Sequence, residues 1–410
     1  MLENIVIVGA GQAAASVATR LRKKGYTESI TVIGNEPVLP YQRPPLSKKY
    51  LSGEMEQDKL LIRPADWYTE NQVTVITDTE VVGIDLANKQ LSLDTGSQFP
   101  YDKLVLTTGS DPARLPAAIG GGLDGVYTMR SMADADAISS ELVSGRHVLI
   151  VGGGYIGLEA AAVARSQGLQ VTLVEMAGRI LGRVACKETA DWFRNVHTEK
   201  GVKIFEGVGL KKLINNGDRV SGAVLSDGSE IQVDFVIVGI GIQPNAQLAE
   251  DAGLEIENGI AVNAQCQTSN NDIYAAGDCA SFLRQGQRIR LESVQNAGDQ
   301  GDLVADNILA EDEPRDYAPL PRFWSDQYDC KLQIIGLAID YDRVATRVGK
   351  KPGSLSAWYF REGKLIAVDA MNDPISYVMG TKALSKGIAF QADDIANPDF
   401  DPGAFIKAAG

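Results

Sequence analysis

Four short apolar runs set the rhythm of this chain. Ile5–Val8, Ile30–Ile33, Val148–Val151 and Val171–Val174 are strand-sized and free of charge, the pattern of parallel strands buried on both faces. A helix-like, alanine-rich stretch separates the members of each pair. The pattern predicts two strand–turn–helix–strand units, at 5–36 and 147–175. After each unit the apolar positions become short and closely spaced. VTVITDTEVVGID, QLSLDTG and LVLTTG fill 73–109, and VKIFEGVGL, VSGAVLSDGS and EIQVDFVIVGIG fill 202–241. These read as short antiparallel strands, with Asp94–Gly96 and Asp227-Gly228 as turns. LVLTTG at 104–109 is matched by FVIVGIG at 235–241, so one order of parts occurs twice, an internal duplication.

The rest of the chain is placed by the same reading. Pro37, Pro40, Pro44 and Pro45 forbid a helix until after the last pair, and Leu46–Leu51 then starts one. Pro112 and Pro116 with Gly120–Gly122 make a crossover. From about 242 the chain returns to its first sheet through DIYAAGDCA (272–280) and a helix in ESVQNAGDQGDLVADNILA. From Phe323 it becomes strand-like with turns, followed by a helix at Pro374–Lys386.

Glycine supplies the chemistry of the two units. Gly152, Gly154 and Gly157 make G-x-G-x-x-G between a strand and a helix; Gly9, Gly11 and Ala14 make the same fingerprint ending in alanine. The first glycine allows the tight turn, the second lets backbone approach a pyrophosphate, and the third lets helix and strand pack closely. The phosphates then lie at the positive end of a helix. Two complete units imply two nucleotides, usually FAD and a nicotinamide. Glu175 ends the second strand of the second unit, where a carboxylate accepts hydrogen bonds from the adenosine ribose and repels a 2′-phosphate. This favours NADH over NADPH, although Arg179 and Arg183 follow closely. The reading is an α/β chain with an FAD-binding domain at 1–112 and 242–322, an NAD-binding domain at 113–241 and a small α+β domain at 323–410.

Composition narrows the function. A chain of 410 residues exceeds one ordinary core, and no apolar run is long enough to span a bilayer. The first strand begins almost at once, leaving no room for a signal peptide. Cys186, Cys266, Cys279 and Cys330 are scattered, and His147 and His197 are the only histidines, so no metal-ligand spacing is present. The expectation is a cytoplasmic protein. A net charge of −14 argues against nucleic acid as partner. It permits a protein partner, because docking depends on a local patch.

The order of PYQRPPLSK, TTG, GGGYIGLE, GIGIQPN, IYAAGDCA, ESVQNA and FWSDQYD resembles, along essentially the whole chain, the FAD-dependent, NADH-linked ferredoxin reductases of bacterial oxygenase systems. This group includes putidaredoxin-reductase-like proteins and Rieske dioxygenase reductases, and apoptosis-inducing factor shares its glutathione-reductase-like, two-dinucleotide-binding fold. The resemblance implies that Gly9, Gly11, Ala13 and Ala14 hold the FAD pyrophosphate and that Asn35 or Glu36 bonds its adenosine ribose. It implies further FAD contacts at Arg43, Lys48, Val81, Thr108, Gly109, Arg130 and Gly277. Asp278 would bond the ribityl chain, and the Val294 N–H would face the flavin pyrimidine edge. Gly152, Gly154, Tyr155, Ile156, Gly157, Glu159, Glu175, Arg183 and Gly241 would hold NAD.

Lys48 and Glu159 resemble a lysine–glutamate pair beside the flavin. Glu159 lies two residues past Gly157, where a carboxylate needs a partner; the other reading is a solvated first-turn carboxylate suited to the helix dipole. Trp324 resembles an aromatic residue that the small domain places near the flavin; the other reading is a core tryptophan. With Lys48, Glu159 and Trp324 aligning the rings, the implied enzyme takes a hydride from NADH and passes single electrons to a [2Fe–2S] ferredoxin that feeds a cytochrome P-450 or Rieske oxygenase. A monomer is the family default. Tyr41-Gln42-Arg43 stands in the stretch where one group of the relatives that reduce disulfides or peroxides carries its redox cysteine, and Cys279 reads as a small buried hydrophobe. Alternatives are a reductase of a small acceptor such as a quinone or radical, and a non-catalytic NADH sensor. Arg288, Arg290, Arg322 and Lys331 are candidates for a basic rim that receives the ferredoxin.

Overall fold

The computed structural model describes residues 3–310 and 313–409. It divides into two compact units. Met1–Gln42, Glu56–Asp111 and Ile242–Pro319 form the first; Arg43–Met55, Pro112–Gly241 and Leu320–Gly410 form the second.

The first unit is built on a five-stranded parallel sheet. Its order is Ile273–Ala275, Lys103–Leu106, Asn4–Val8, Ser29–Ile33, Val73–Ile76. Side chains alternate across it. Ile5 and Ile7 pack with residues of the helices Gln12–Lys23 and Val294–Leu309. Val6 and Val8 pack on the other face with Val81, Leu91 and Leu93, which belong to a three-stranded antiparallel sheet. Both faces are covered, which is why the run carries no polar residue.

The second unit repeats this plan. Its parallel sheet runs Lys203–Glu206, Gln170–Glu175, His147–Val151, Phe235–Val238, Val126–Thr128. Leu149 and Val151 pack against Leu213, Val220, Ala223 and Leu225 of the antiparallel sheet that follows. The two sheets differ in the source of the fifth strand. It follows the other four in the chain of the first unit and precedes them in the second.

The second unit also holds a five-stranded antiparallel sheet in the order Arg322–Gln327, Cys330–Gly336, Lys364–Met371, Leu355–Arg361, Arg343–Val348. Trp358 and Phe360 face Phe390, Ile395 and Ile406, while Ala357, Tyr359 and Ala367 face Cys186. That second face joins 112–241 and 320–410 in one unit. We propose that this unit still subdivides into the nucleotide domain and terminal domain expected from sequence, because each has its own sheet and core.

Three expectations need correction. Lys103–Leu106 and Phe235–Val238, read among the short antiparallel strands, are inner parallel strands, and Val73–Ile76 and Lys203–Glu206, expected in antiparallel meanders, are parallel edge strands. Each edge strand follows a helix, Ala65–Glu70 or Lys187–Glu199, and a strand reached through a crossover helix enters parallel. Pro44–Ser47 is a 3₁₀ turn that includes both prolines at its first positions, where a missing N–H costs nothing. Residues 43–55 belong to the second unit rather than to a domain at 1–112. Tyr50 donates to Asp136 at 2.7 Å and Lys48 pairs with Glu159, both within that unit.

Candidate functional site

The two fingerprints are copies in backbone detail. Gly9 turns at φ +101°, and a Cβ on it would stand 2.2 Å from the Thr107 carbonyl oxygen. Gly152 turns at φ +107°, and its Cβ would stand 2.3 Å from the Gly239 carbonyl oxygen. Only glycine fits either turn. Gly11 and Gly154 are the opposite case, since no atom lies within 4 Å of where their Cβ would be. Each caps its helix with no side-chain hydrogen bond, which leaves the first-turn N–H groups beside open space. That is the form of a pyrophosphate cradle, so a dinucleotide fits both. The third position explains alanine in the first unit. A Cβ at Gly157 would meet the Gly152 carbonyl oxygen at 2.1 Å, whereas Ala14 is accommodated fully buried.

Around the first cradle, Gly277 lies with its Cβ position 3.4 Å from Ala13 Cβ and donates its N–H to Gln300 Oε1 at 2.8 Å. Asp278 accepts from the Ser110 hydroxyl at 3.1 Å. The Thr108 hydroxyl donates to the Asn245 carbonyl at 2.6 Å, and the Gly109 carbonyl accepts the Asn245 N–H, so this pair braces the loop. Asn35 is exposed, while the half-buried Glu36 accepts from the Tyr41 hydroxyl at 2.6 Å. Val81 turns its side chain into the core at the start of the strand Val81–Asp85. Val294 opens a 16-residue helix capped by Ser293, whose hydroxyl accepts the Asn296 N–H at 3.1 Å.

In the second unit Glu175 accepts two N–H bonds of 2.7 Å, from Gly153 and from Ala177. The carboxylate therefore holds the glycine turn as well as marking the strand end. Ile156 is exposed at the helix start, and Arg183 is exposed with Nη2 3.6 Å from the Cβ position of Gly241. The Tyr155 ring lies 4.7 Å from Phe323, and burial pushes its phenol well above the ordinary range. Arg43 donates to the Arg130 carbonyl at 2.9 Å. Trp324 is partly exposed, on the strand face opposite the buried Ser325, so it is no core tryptophan.

Three side chains converge on Glu159. It is only 2% exposed, which removes the solvated reading. Lys48 Nζ and the Ser47 hydroxyl each donate to its Oε2 at 2.6 Å, and the Ser325 hydroxyl donates to its Oε1 at 2.6 Å. Helix and strand periods bring these parts together. Tyr155 and Glu159 are four apart on one helix face, and Phe323 and Ser325 two apart on one strand face. Ser47 and Ser325 were absent from the sequence-based site. The available signal was Ser325 and Gln327 at alternate positions of one strand, both of which turn out to be buried.

Two expectations about charge and thiols are settled by geometry. All four cysteines are free and buried, and burial pushes the thiols of Cys266 and Cys279 upward, so no thiolate pair is poised. The basic rim does not form as expected. Arg288 pairs with Glu257 at 2.7 Å and Arg290 with Glu292 at 2.7 Å, their side chains only 15% and 10% exposed. Arg322 and Lys331 are exposed but sit at opposite ends of one hairpin. Among the described residues no helix is long and apolar enough to cross a membrane, and no group of His, Cys, Asp and Glu could hold a metal.

Comparison with known proteins agrees with this geometry. Residues 3–301 match the family model "Pyridine nucleotide-disulphide oxidoreductase" and residues 322–404 match "Reductase C-terminal". Rhodocoxin reductase of Rhodococcus erythropolis is 36% identical over 400 residues, covering 97% of this chain and 93% of that protein. The 5,5'-dehydrodivanillate O-demethylase ferredoxin reductase subunit of Sphingobium sp. is 38% identical over 398 residues, covering 96% of each. The crystal structure of a covalent putidaredoxin reductase–putidaredoxin complex superposes with a TM-score of 0.94 at 36% identity, covering 99% of each chain.

Proposed function

Because this chain belongs to the pyridine nucleotide-disulphide oxidoreductase family and ends in its reductase C-terminal domain, we propose that it is an NADH-dependent ferredoxin reductase carrying FAD. The observation that carries the reading is the pair of open dinucleotide cradles in a chain whose cysteines are all buried and single. Each unit offers a nucleotide cradle and no paired thiols are present to receive electrons, so the acceptor is external. Relatives named as reductases of rhodocoxin, of an O-demethylase ferredoxin and of putidaredoxin support a ferredoxin as that acceptor; we take it to be a [2Fe–2S] ferredoxin feeding a P-450 or Rieske oxygenase.

Bound FAD supplies the conversion of a two-electron hydride into single electrons. The protein's own residues do the positioning. In the first unit the turn at Gly9 and the open face at Gly11 receive a pyrophosphate, Glu36 held by Tyr41 offers an acceptor to a ribose, and Asp278 and the Val294 N–H address the remaining polar edges. In the second, Gly152–Gly157 receives the NADH pyrophosphate, and Glu175 keeps lone pairs for the adenosine ribose while bonded to Gly153. Lys48 and Glu159 align the reacting rings, with Trp324 bordering them. We assign the protein to the cytoplasm, where four unpaired cysteines are stable. A monomer follows the same family reading.

The test is NADH-driven cytochrome c reduction by the purified flavoprotein, with and without a [2Fe–2S] ferredoxin. Strong stimulation by the ferredoxin, with NADPH a poorer donor, is expected. Fast turnover with quinones and no response to any ferredoxin would instead make it a reductase of small acceptors.

A further inference from the structure

Glu159 is not the end of its hydrogen-bond network. Within the second unit the Tyr328 hydroxyl lies 3.4 Å from His197 Nδ1, and His197 Nε2 lies 2.8 Å from Gln327 Oε1. Gln327 Nε2 lies 3.2 Å from Ser325 Oγ, which lies 2.6 Å from Glu159 Oε1. His197 and Ser325 are fully inaccessible to solvent, and Gln327 and Glu159 nearly so.

Elementary chemistry fixes the direction of every link. A carboxylate only accepts, so Ser325 donates to Glu159. The Ser325 oxygen then accepts from the Gln327 amide nitrogen. The Gln327 carbonyl only accepts, so His197 carries its hydrogen on Nε2. Nδ1 is left as an acceptor, and Tyr328 donates to it. Burial keeps the His197 ring neutral by lowering its pKa, against the Gln327 bond that raises it. The chain therefore runs one way, with every donor pointing toward the carboxylate that Lys48 and Ser47 approach from the other oxygen.

We propose that His197 and Gln327 are positioning residues, acting through Ser325 to fix the plane of the Glu159 carboxylate and hence the place of the Lys48 ammonium. This rests on the reading of Lys48–Glu159 as the ring-aligning pair. Each link removes one freedom. A serine hydroxyl can rotate, and an amide from Gln327 on its lone pair turns the O–H toward Glu159. An amide can flip, and the His197 N–H on the Gln327 carbonyl prevents it. Donors aligned in a low-dielectric interior also polarise one another, so the last bond is strengthened by the first.

The test uses the FAD-loaded enzyme and measures flavin reduction by NADH in single turnover, with NADH affinity, FAD content and thermal unfolding alongside. His197→Leu and Gln327→Leu should each slow flavin reduction about tenfold at unchanged NADH affinity, since misplacing an aligning group costs rate steeply. His197→Gln, which returns an N–H to the place of Nε2, should restore most of the rate. In a Glu159→Gln background, His197→Leu should add nothing, because the two act through one path. Should His197→Leu fail to fold, Gln327→Glu, which sets an acceptor where the donor stood, gives the same comparison. An unchanged rate in these variants, equal loss in His197→Leu and His197→Gln, or additive effects with Glu159→Gln would overturn the proposal. A Glu159→Gln enzyme with unchanged rate would instead remove the ring-aligning reading beneath it.

Discussion

A single missing side chain separates the two roles of glycine in each cradle. Gly152 seals a turn, whereas Gly154 borders open space. Gly154→Ala should therefore leave thermal stability and flavin content unchanged and raise the KM for NADH about tenfold, a methyl group standing where backbone must meet a pyrophosphate. Steady-state kinetics beside an absorbance spectrum checks both halves. A second residue reports on pH. Burial pushes Asp369 up from 3.8 to about 6, against the Tyr359 and Thr189 hydroxyls that bond it and pull it down. A carboxyl raised in this way favours the fold as the acid. Its contribution is complete below about pH 4 and is lost as pH climbs through about 6, roughly 3 kcal/mol over the window. Asp369→Asn should flatten the stability profile between pH 4 and pH 6 in denaturant titrations. The glycines were legible in sequence because a backbone requirement leaves one residue type. Ser325 and His197 were not, because a polar residue at an inward position has meaning only once its partner is known.

At the scale of elements, strand and helix identity followed from period, but strand direction did not. An apolar run such as Val73–Ile76 has the same pattern in either direction, and the crossover helix before it decides. Helix contacts were hidden for a similar reason. The helices Gln12–Lys23 and Val294–Leu309 approach closely at Gly301, where a Cβ would stand 2.7 Å from the Ala13 carbonyl oxygen and 2.9 Å from Ser16 Cβ. No property of Gly301 in the chain announces that contact. Gly301→Ala should force the pair apart, lower stability by about 1–3 kcal/mol and loosen FAD, since the proposed FAD cradle includes Ala13. Calorimetry and the rise in fluorescence as flavin is released give the two readouts.

For the whole molecule, duplication was the most legible property, because it is written as a repeated order of parts. The share of each segment in its unit was less so. Residues 43–55 leave the first unit for the second, tied there by Lys48 and Tyr50, which no local pattern encodes. The local basic patch was not legible either, since Arg288 and Arg290 are engaged by Glu257 and Glu292. Reversing their charge should therefore cost stability, seen as a lower melting temperature, before it changes ferredoxin reduction.

The late arrival of one strand gives the molecule a timetable. Ile273–Ala275 completes the first sheet beside Lys103–Leu106, with Ile273 opposite Leu104. During synthesis the ribosome must make the whole second nucleotide unit, 147–241, before that neighbour exists. Until then Lys103–Leu106 is a bare strand edge on an apolar sheet, open to any other growing chain. A nascent chain stopped at Gly241 should accordingly aggregate or bind a chaperone, and one released beyond the helix Val294–Leu309 should not. Soluble yield across a series of such stops would date the moment at which the first nucleotide fold closes.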